Sequence, residues 1–222
     1  MDTLPLYVKV SSMLEFARLV CALERMPRIS FMHKLNDVKV ISVQMDLLKE
    51  RPIIYYFPIG QEDGEFIQYG FKNGNEYTAI INSTKDSQFI YSPIIHIKSL
   101  SPNLLPESKE LKEKYHPLEL EDLTSLARIS YGFEEAPFPL FAFPYKDKWM
   151  MGIFMNLNEE GASYFCFIRM NGNPNKSFLK YSANSGTAPE IVESPGSHGF
   201  THIKVIKLEE THPLVYYEQL QD

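Results

Sequence analysis

Cysteine is nearly absent from this chain, with two in 222 residues. A disulfide framework is thereby excluded. Cys21, in a helical pattern, and Cys166, between Phe165 and Phe167, read instead as small buried hydrophobes. Clusters of positive charge are missing as well: no five or six basic residues run together, and 22 Lys and Arg against 28 Asp and Glu leave a net charge of -6. Neither a nucleic-acid backbone nor an anionic membrane meets an obvious basic footprint. No apolar run approaches the roughly 20 residues of a membrane span. Residues 1–10 carry neither the basic nor the apolar segment of a secretory signal, so the cytoplasm is the expected compartment and no membrane partner is expected.

Catalytic signatures are lacking too. Neither G-x-x-x-x-G-K-[ST] nor G-x-G-x-x-G occurs, and Asp63-Gly64, Asn73-Gly74 and Asn171-Gly172 read as hairpin turns rather than phosphate loops. Ser197-His198 has the wrong spacing for a G-x-S-x-G elbow, and adjacent Ser and His do not form the hydrogen-bonded pair that activates a serine. A cysteine between two phenylalanines has little thiolate. No catalytic residue and no cofactor is expected, and the reading leans away from an enzyme.

What the chain has in quantity is aromatic and proline residues. Its 15 Phe and 13 Tyr lean toward sheet, and 15 prolines punctuate it heavily. Around Tyr91-Ser92-Pro93-Ile94-Ile95-His96-Ile97-Lys98, four landmarks of the first half recur in order in the second. Glu50-Arg51-Pro52 with Phe57-Pro58 is matched by Glu135-Ala136-Pro137 with Phe143-Pro144, and Ser87 to Ser92 by Ser177 to Ser182. His96-Ile97-Lys98 is matched by His202-Ile203-Lys204, and His116-Pro117-Leu118 by His212-Pro213-Leu214. Colinear landmarks point to a two-fold internal duplication of a β-meander plus helix unit. The spacing differences fall where surface loops vary.

The fold class expected is therefore α+β, β-rich, with antiparallel sheets and few helices. Residues 4–10 read as a strand, and Ser12 with Glu15 as the capping box of a helix that Pro27 stops. Residues 29–33 and 38–45 pair as a hairpin across Asn36-Asp37. Asp63-Gly64 is expected to join residues 53–57 to 66–69, and Asn73-Gly74 to join that strand to residues 77–81. A second helix is expected over 118–129, strands near 140–143, 149–157, 163–170, 178–181 and 201–208, and a terminal helix over 213–220. The domains follow: 1–48 is an N-terminal strand, helix and hairpin packed on the first half, 49–116 the first meander with a linker at 101–116, and 117–222 the second helix and meander.

Two candidate sites come out of this pattern. Four of the six histidines, His96, His116, His202 and His212, hold repeat-equivalent places, and His96, His202 and His198 are the metal-ligand candidates, since imidazole suits zinc, copper and nickel. Against this, His96 and His202 lie in apolar strands where a neutral ring finds a local partner, and no carboxylate or cysteine stands at ligand spacing. The long Ser, Gly, Pro and Asn-rich loop over 183–200 is the other place to look, with Ser197, His198 and Gly199 as interaction candidates. The function expected is a non-catalytic interaction or scaffolding subunit of a larger assembly, its partner another protein or a further copy of itself. Two alternatives stand beside it. One is a sliding-clamp-like, DNA-encircling processivity protein, in which alone nucleic acid is a partner; the other is a metal-dependent enzyme with its site between the halves.

Overall fold

The computed structural model describes residues 6–22, 30–45, 53–72, 75–84, 86, 88–100, 104–105, 107–132, 139–156, 163–182, 187–196 and 198–219. Over these residues the chain divides into two compact units, one running to Lys98 and the other from Ser99 on.

The first unit contains β1 (Leu6–Lys9), α1 (Met13–Ala22), β2 (Ser30–Leu35), β3 (Val38–Met45), β4 (Ile53–Pro58), β5 (Phe66–Lys72), β6 (Asn75–Ile81) and β7 (Ile90–Leu100), whose last two residues belong to the second unit. Helix α1 starts at the expected Ser12, whose Oγ accepts the Glu15 N–H at 3.1 Å, but the Glu15 carboxylate reaches one residue further back than a capping box requires and accepts from the Ser11 N–H at 2.7 Å and from the Ser11 hydroxyl. Phe16 and Ala17 of α1 then close over Val10, Met32, Ile41, Val43, Ile67 and Ile94. Leu35 faces Val38 across a two-residue turn in which Asn36 and Asp37 have φ of 49° and 64°, the left-handed pair that a type I′ hairpin requires.

Strand pairing departs from the antiparallel expectation. β4 and β2 are antiparallel to β3, and β5 is antiparallel to β6 and β7, but β1 runs parallel to β4 and β2 parallel to β7. The sheet is mixed because long connections, α1 among them, separate the strands that pair in parallel, and only such connections can return the chain in the same direction. The hairpin expected at Asp63-Gly64 does not form, since β4 pairs with β3 and β1 while β5 pairs with β6 and β7. Gly64 serves close approach instead: a Cβ there would run into the Ile80 side chain. Asn73 and Gly74 lie outside the described residues, and the register on either side of them pairs Lys72 with Asn75.

The second unit contains α2 (Lys109–Lys114), β8 (Tyr115–Leu120), α3 (Leu123–Gly132), β9 (Leu140–Tyr145), β10 (Lys148–Asn156), β11 (Ser163–Met170), β12 (Phe178–Tyr181), β13 (Glu190–Val192), β14 (Thr201–Lys207) and α4 (Pro213–Gln219). β8 runs parallel to β11 and β9 parallel to β14; β10 is antiparallel to both β9 and β11, and β12 to both β13 and β14. The helix expected from Leu118 begins only at Leu123, where Asp122 Oδ1 accepts the Ser125 N–H at 2.8 Å. Residues 115–120 are a strand instead. Their near-continuous burial, from Tyr115 to Leu120 and including the Glu119 carboxylate, is that of a parallel strand covered on both faces, which shows no period of two. His116 therefore sits in β8, whereas His212 precedes α4, so the expected equivalence of these two at helix starts is lost. The loop expected over 183–200 contains the short strand β13.

Register sorts the side chains of β8 to β11 onto two faces. One carries Ala142, Met151, Ile153, Cys166, Ile168, Leu118 and Leu120, and α3 packs on these strands with Leu126, Ala127 and Ile129 buried. The other carries Phe141, Phe143, Met150, Phe154, Phe165 and Phe167, packed in one cluster with Leu104, Leu105 and Leu214. Two polar ties hold the cover in place. His212 Nε2–H donates to the Leu104 carbonyl at 2.9 Å and its Nδ1 accepts the Leu214 N–H at 3.2 Å. At the far end of α4, Glu218 Oε1 accepts from Lys114 Nζ at 2.8 Å and from the Tyr115 hydroxyl at 2.6 Å.

Candidate functional site

The phenylalanine-lined face is open at its end nearest the β9–β10 turn. There a cavity of about 310 Å³ is lined by Leu104, Tyr145, Lys146, Lys148, Met150, Phe167 and Arg169. Its floor is apolar, with Leu104, Met150 and Phe167 all buried. Its rim is cationic, for Lys146, Lys148 and Arg169 are all exposed.

Local geometry accounts for each rim group. Tyr145 faces Lys148 across the turn, and Lys146 and Asp147 adopt φ of 45° and 63°, so the hairpin closes in two residues. Lys148 and Met150 then share a face of β10, while Arg169 of β11 stands directly opposite Met150. Lys146 Nζ lies 5.2 Å from the centre of the Tyr145 ring, a cation–π contact that keeps the ammonium at the rim. Arg169 is fixed differently. Its Nε donates to Glu119 Oε1 at 3.1 Å, and the Glu119 side chain is only 5% exposed against 53% for Arg169. The other oxygen of Glu119 accepts the Ser99 hydroxyl at 2.9 Å. A buried carboxylate held on both oxygens thus anchors a half-exposed guanidinium. Lys146 and Lys148 make no ion pair among the described residues.

The histidines singled out by sequence are placed elsewhere. His96, on β7, donates from Nε2 to the Gly64 carbonyl at 3.1 Å. His202, on β14, lies opposite Lys180, and its Nε2 is buried with no hydrogen-bond partner among the described residues. Among the described residues no group of three or more His, Cys, Asp and Glu side chains comes together in a way that could hold a metal ion. His198 and Gly199 form an exposed turn with Gly199 at φ 89°, and Ser197 lies outside the described residues. Cys166 is fully enclosed, and burial pushes its thiol far above the usual range, which leaves it inert as a nucleophile. Among the described residues no helix is long and apolar enough to cross a membrane.

None of the groove residues was singled out from sequence. Tyr145-Lys146-Asp147-Lys148 lacks the Asn-Gly signal of a tight hairpin, and Arg169 joins the lysines only through the register that sets it opposite Met150. The usable signal was an aromatic residue and two lysines within four positions between two strands. Comparison with protein-family models, with curated proteins and with solved structures finds no match to this chain.

Proposed function

We propose that the chain is a non-catalytic interaction subunit of the cytoplasm that holds a protein partner at the basic-rimmed groove of its second unit. The observation that carries this reading is the apolar floor of Leu104, Met150 and Phe167 beneath two lysines that have no ion-pair partner among the described residues. The chain as a whole carries a net charge of -6, so exposed cations left unpaired at the mouth of a cavity stand out against it. The cationic rim steers and orients an oppositely charged partner, and a side chain of that partner that enters the cavity leaves water.

We further read the two units as copies of one pattern. In each, the strand before the first long helix pairs in parallel with the fourth strand, which runs antiparallel to the third, and the third to the second. The second strand then pairs in parallel with the last, beside which the fifth and sixth complete the order in antiparallel fashion. This correspondence pairs β1 to β7 with β8 to β14, from Leu6 and from Tyr115, and of the four sequence landmarks it keeps only His96 with His202: Phe57-Pro58 on β4 and Phe143-Pro144 on β9 do not correspond, nor do Ser92 on β7 and Ser177 to Ser182 at β12, nor His116 and His212. His96 and His202 fall on corresponding strands, β7 and β14.

The docking reading is tested by size. A tagged full-length chain, expressed in its native cells and separated by gel filtration, is expected in a larger assembly. Lys146→Glu with Lys148→Glu, both exposed and away from the core, is expected to return it to the size of the isolated chain. Elution of the unsubstituted chain at that smaller size contradicts the reading.

A further inference from the structure

Resting on the reading of the groove as a docking site, we infer that its occupant is an acidic segment of a partner protein, in which one large apolar side chain stands between carboxylates. The size of the cavity limits the choice. About 310 Å³ lies at the low end of the ~300–1,000 Å³ of pockets that enclose whole small molecules. The rim is also exposed. Such a site takes one anchoring side chain and leaves its flanks in solvent.

The charges decide what those flanks are. Met150 is central to the floor, with Lys148 two residues before it on β10 and Arg169 opposite it on β11. An apolar anchor over Met150 and Phe167 therefore has a cation on either side. Arg169 pairs through Nε with Glu119 while its side chain stays 53% exposed, so the guanidinium still faces an incoming carboxylate. Lys146 adds a third positive group, held over the Tyr145 ring. Two carboxylates stand among these cations. Glu119 is satisfied by Arg169 and the Ser99 hydroxyl, and Asp147 lies on the exposed turn between the lysines. A basic segment would meet the lysines with like charge, and a neutral one would leave them unpaired.

The test uses the full chain and fluorescence anisotropy with a fluorescein-labelled pentapeptide of four glutamates around a central leucine. It is expected to bind, while the same peptide with four lysines does not, and exchange of the central leucine for alanine is expected to weaken binding about tenfold. Lys146→Glu with Lys148→Glu is expected to weaken it at least about tenfold, Lys148→Gln by less, and raising salt from about 0.05 M to about 0.3 M to weaken it further. Near-UV circular dichroism of both variants checks that the unit is folded. Equal binding of the lysine peptide, or glutamate-peptide binding untouched by the double substitution, overturns the inference. So does full displacement by inorganic phosphate at matched ionic strength, which would make the site a reader of free anions. Self-association abolished by the double substitution also overturns it, since the occupant would be a second copy. If the peptide fails while the double substitution still releases the chain from its assembly in cells, docking stands and the acidic occupant is wrong. If the peptide binds but the chain elutes alone from cells, the groove chemistry stands and the docking role fails.

Discussion

Two histidines on the second unit have opposite energetic standing. His212 is satisfied at both nitrogens, by the Leu104 carbonyl and the Leu214 N–H, and its ring lies 5.7 Å from that of Phe143 and 6.1 Å from that of Phe165. His202 has a buried Nε2 with no partner among the described residues. Replacing a bonded group strands its partners, whereas removing an unpartnered polar atom removes a desolvation cost. His212→Leu is therefore expected to lower stability by about 2 kcal/mol or more, and His202→Leu to be neutral or stabilising by up to about 1 kcal/mol. Urea midpoints of the two variants check this, and equal losses would contradict it. The same chemistry sets a pH dependence. Burial holds the imidazoles of His33, His116 and His212 below the ordinary value of 6.5. The unfolded chain takes up these protons near 6.5 and the folded chain only at lower pH, so stability is full above that value and declines as pH falls through it. A urea midpoint that falls between about pH 7.5 and about pH 5.5 is the expected outcome, and one that rises contradicts it.

Among the elements, β10 depends on one glycine. A Cβ at Gly152 would stand 2.5 Å from Phe165 Cζ, and Phe165 has no room to yield, with the Phe154, Phe143 and Phe167 rings at 5.0, 5.9 and 6.1 Å. Gly152→Ala is expected to cost about 2–3 kcal/mol, and Phe165→Leu in the same chain to recover part of that loss. Additive losses in the double variant would show that the two positions do not meet. Sequence made some elements plain and hid others for physical reasons. The Asn36-Asp37 hairpin was legible because both turn residues tolerate positive φ, and the α1 start because Ser12 and Glu15 are a local pair. The helix expected from Leu118 took in the end of β8 because Leu118, Glu119 and Leu120 are all buried, which leaves no period of two to read, and because the pairing with β11 is a long-range contact with no local signal. The parallel pairing of β1 with β4 was equally hidden, being a contact that no short-range turn signal announces.

At the scale of the whole molecule, each unit builds its own core. Phe16 and Ala17 close the first over Ile67 and Ile94, and Phe141, Phe154 and Phe165 fill the second. β-rich composition was legible in the aromatic content, and its mixed pairing was not. The groove was illegible because its chemistry is assembled from three strands and a loop: Tyr145, Lys148, Arg169 and Leu104 are brought together by register and by the His212 tie, and none is distinctive alone. The central claim is that a partner occupies this groove. It is tested most directly by placing the photoreactive residue p-benzoylphenylalanine at Lys148 of the full chain in its native cells and irradiating. One discrete protein adduct is expected at that position, and none from the same residue at Lys112, exposed on α2. No adduct from Lys148, or equal adducts from Lys148 and Lys112, contradicts the claim.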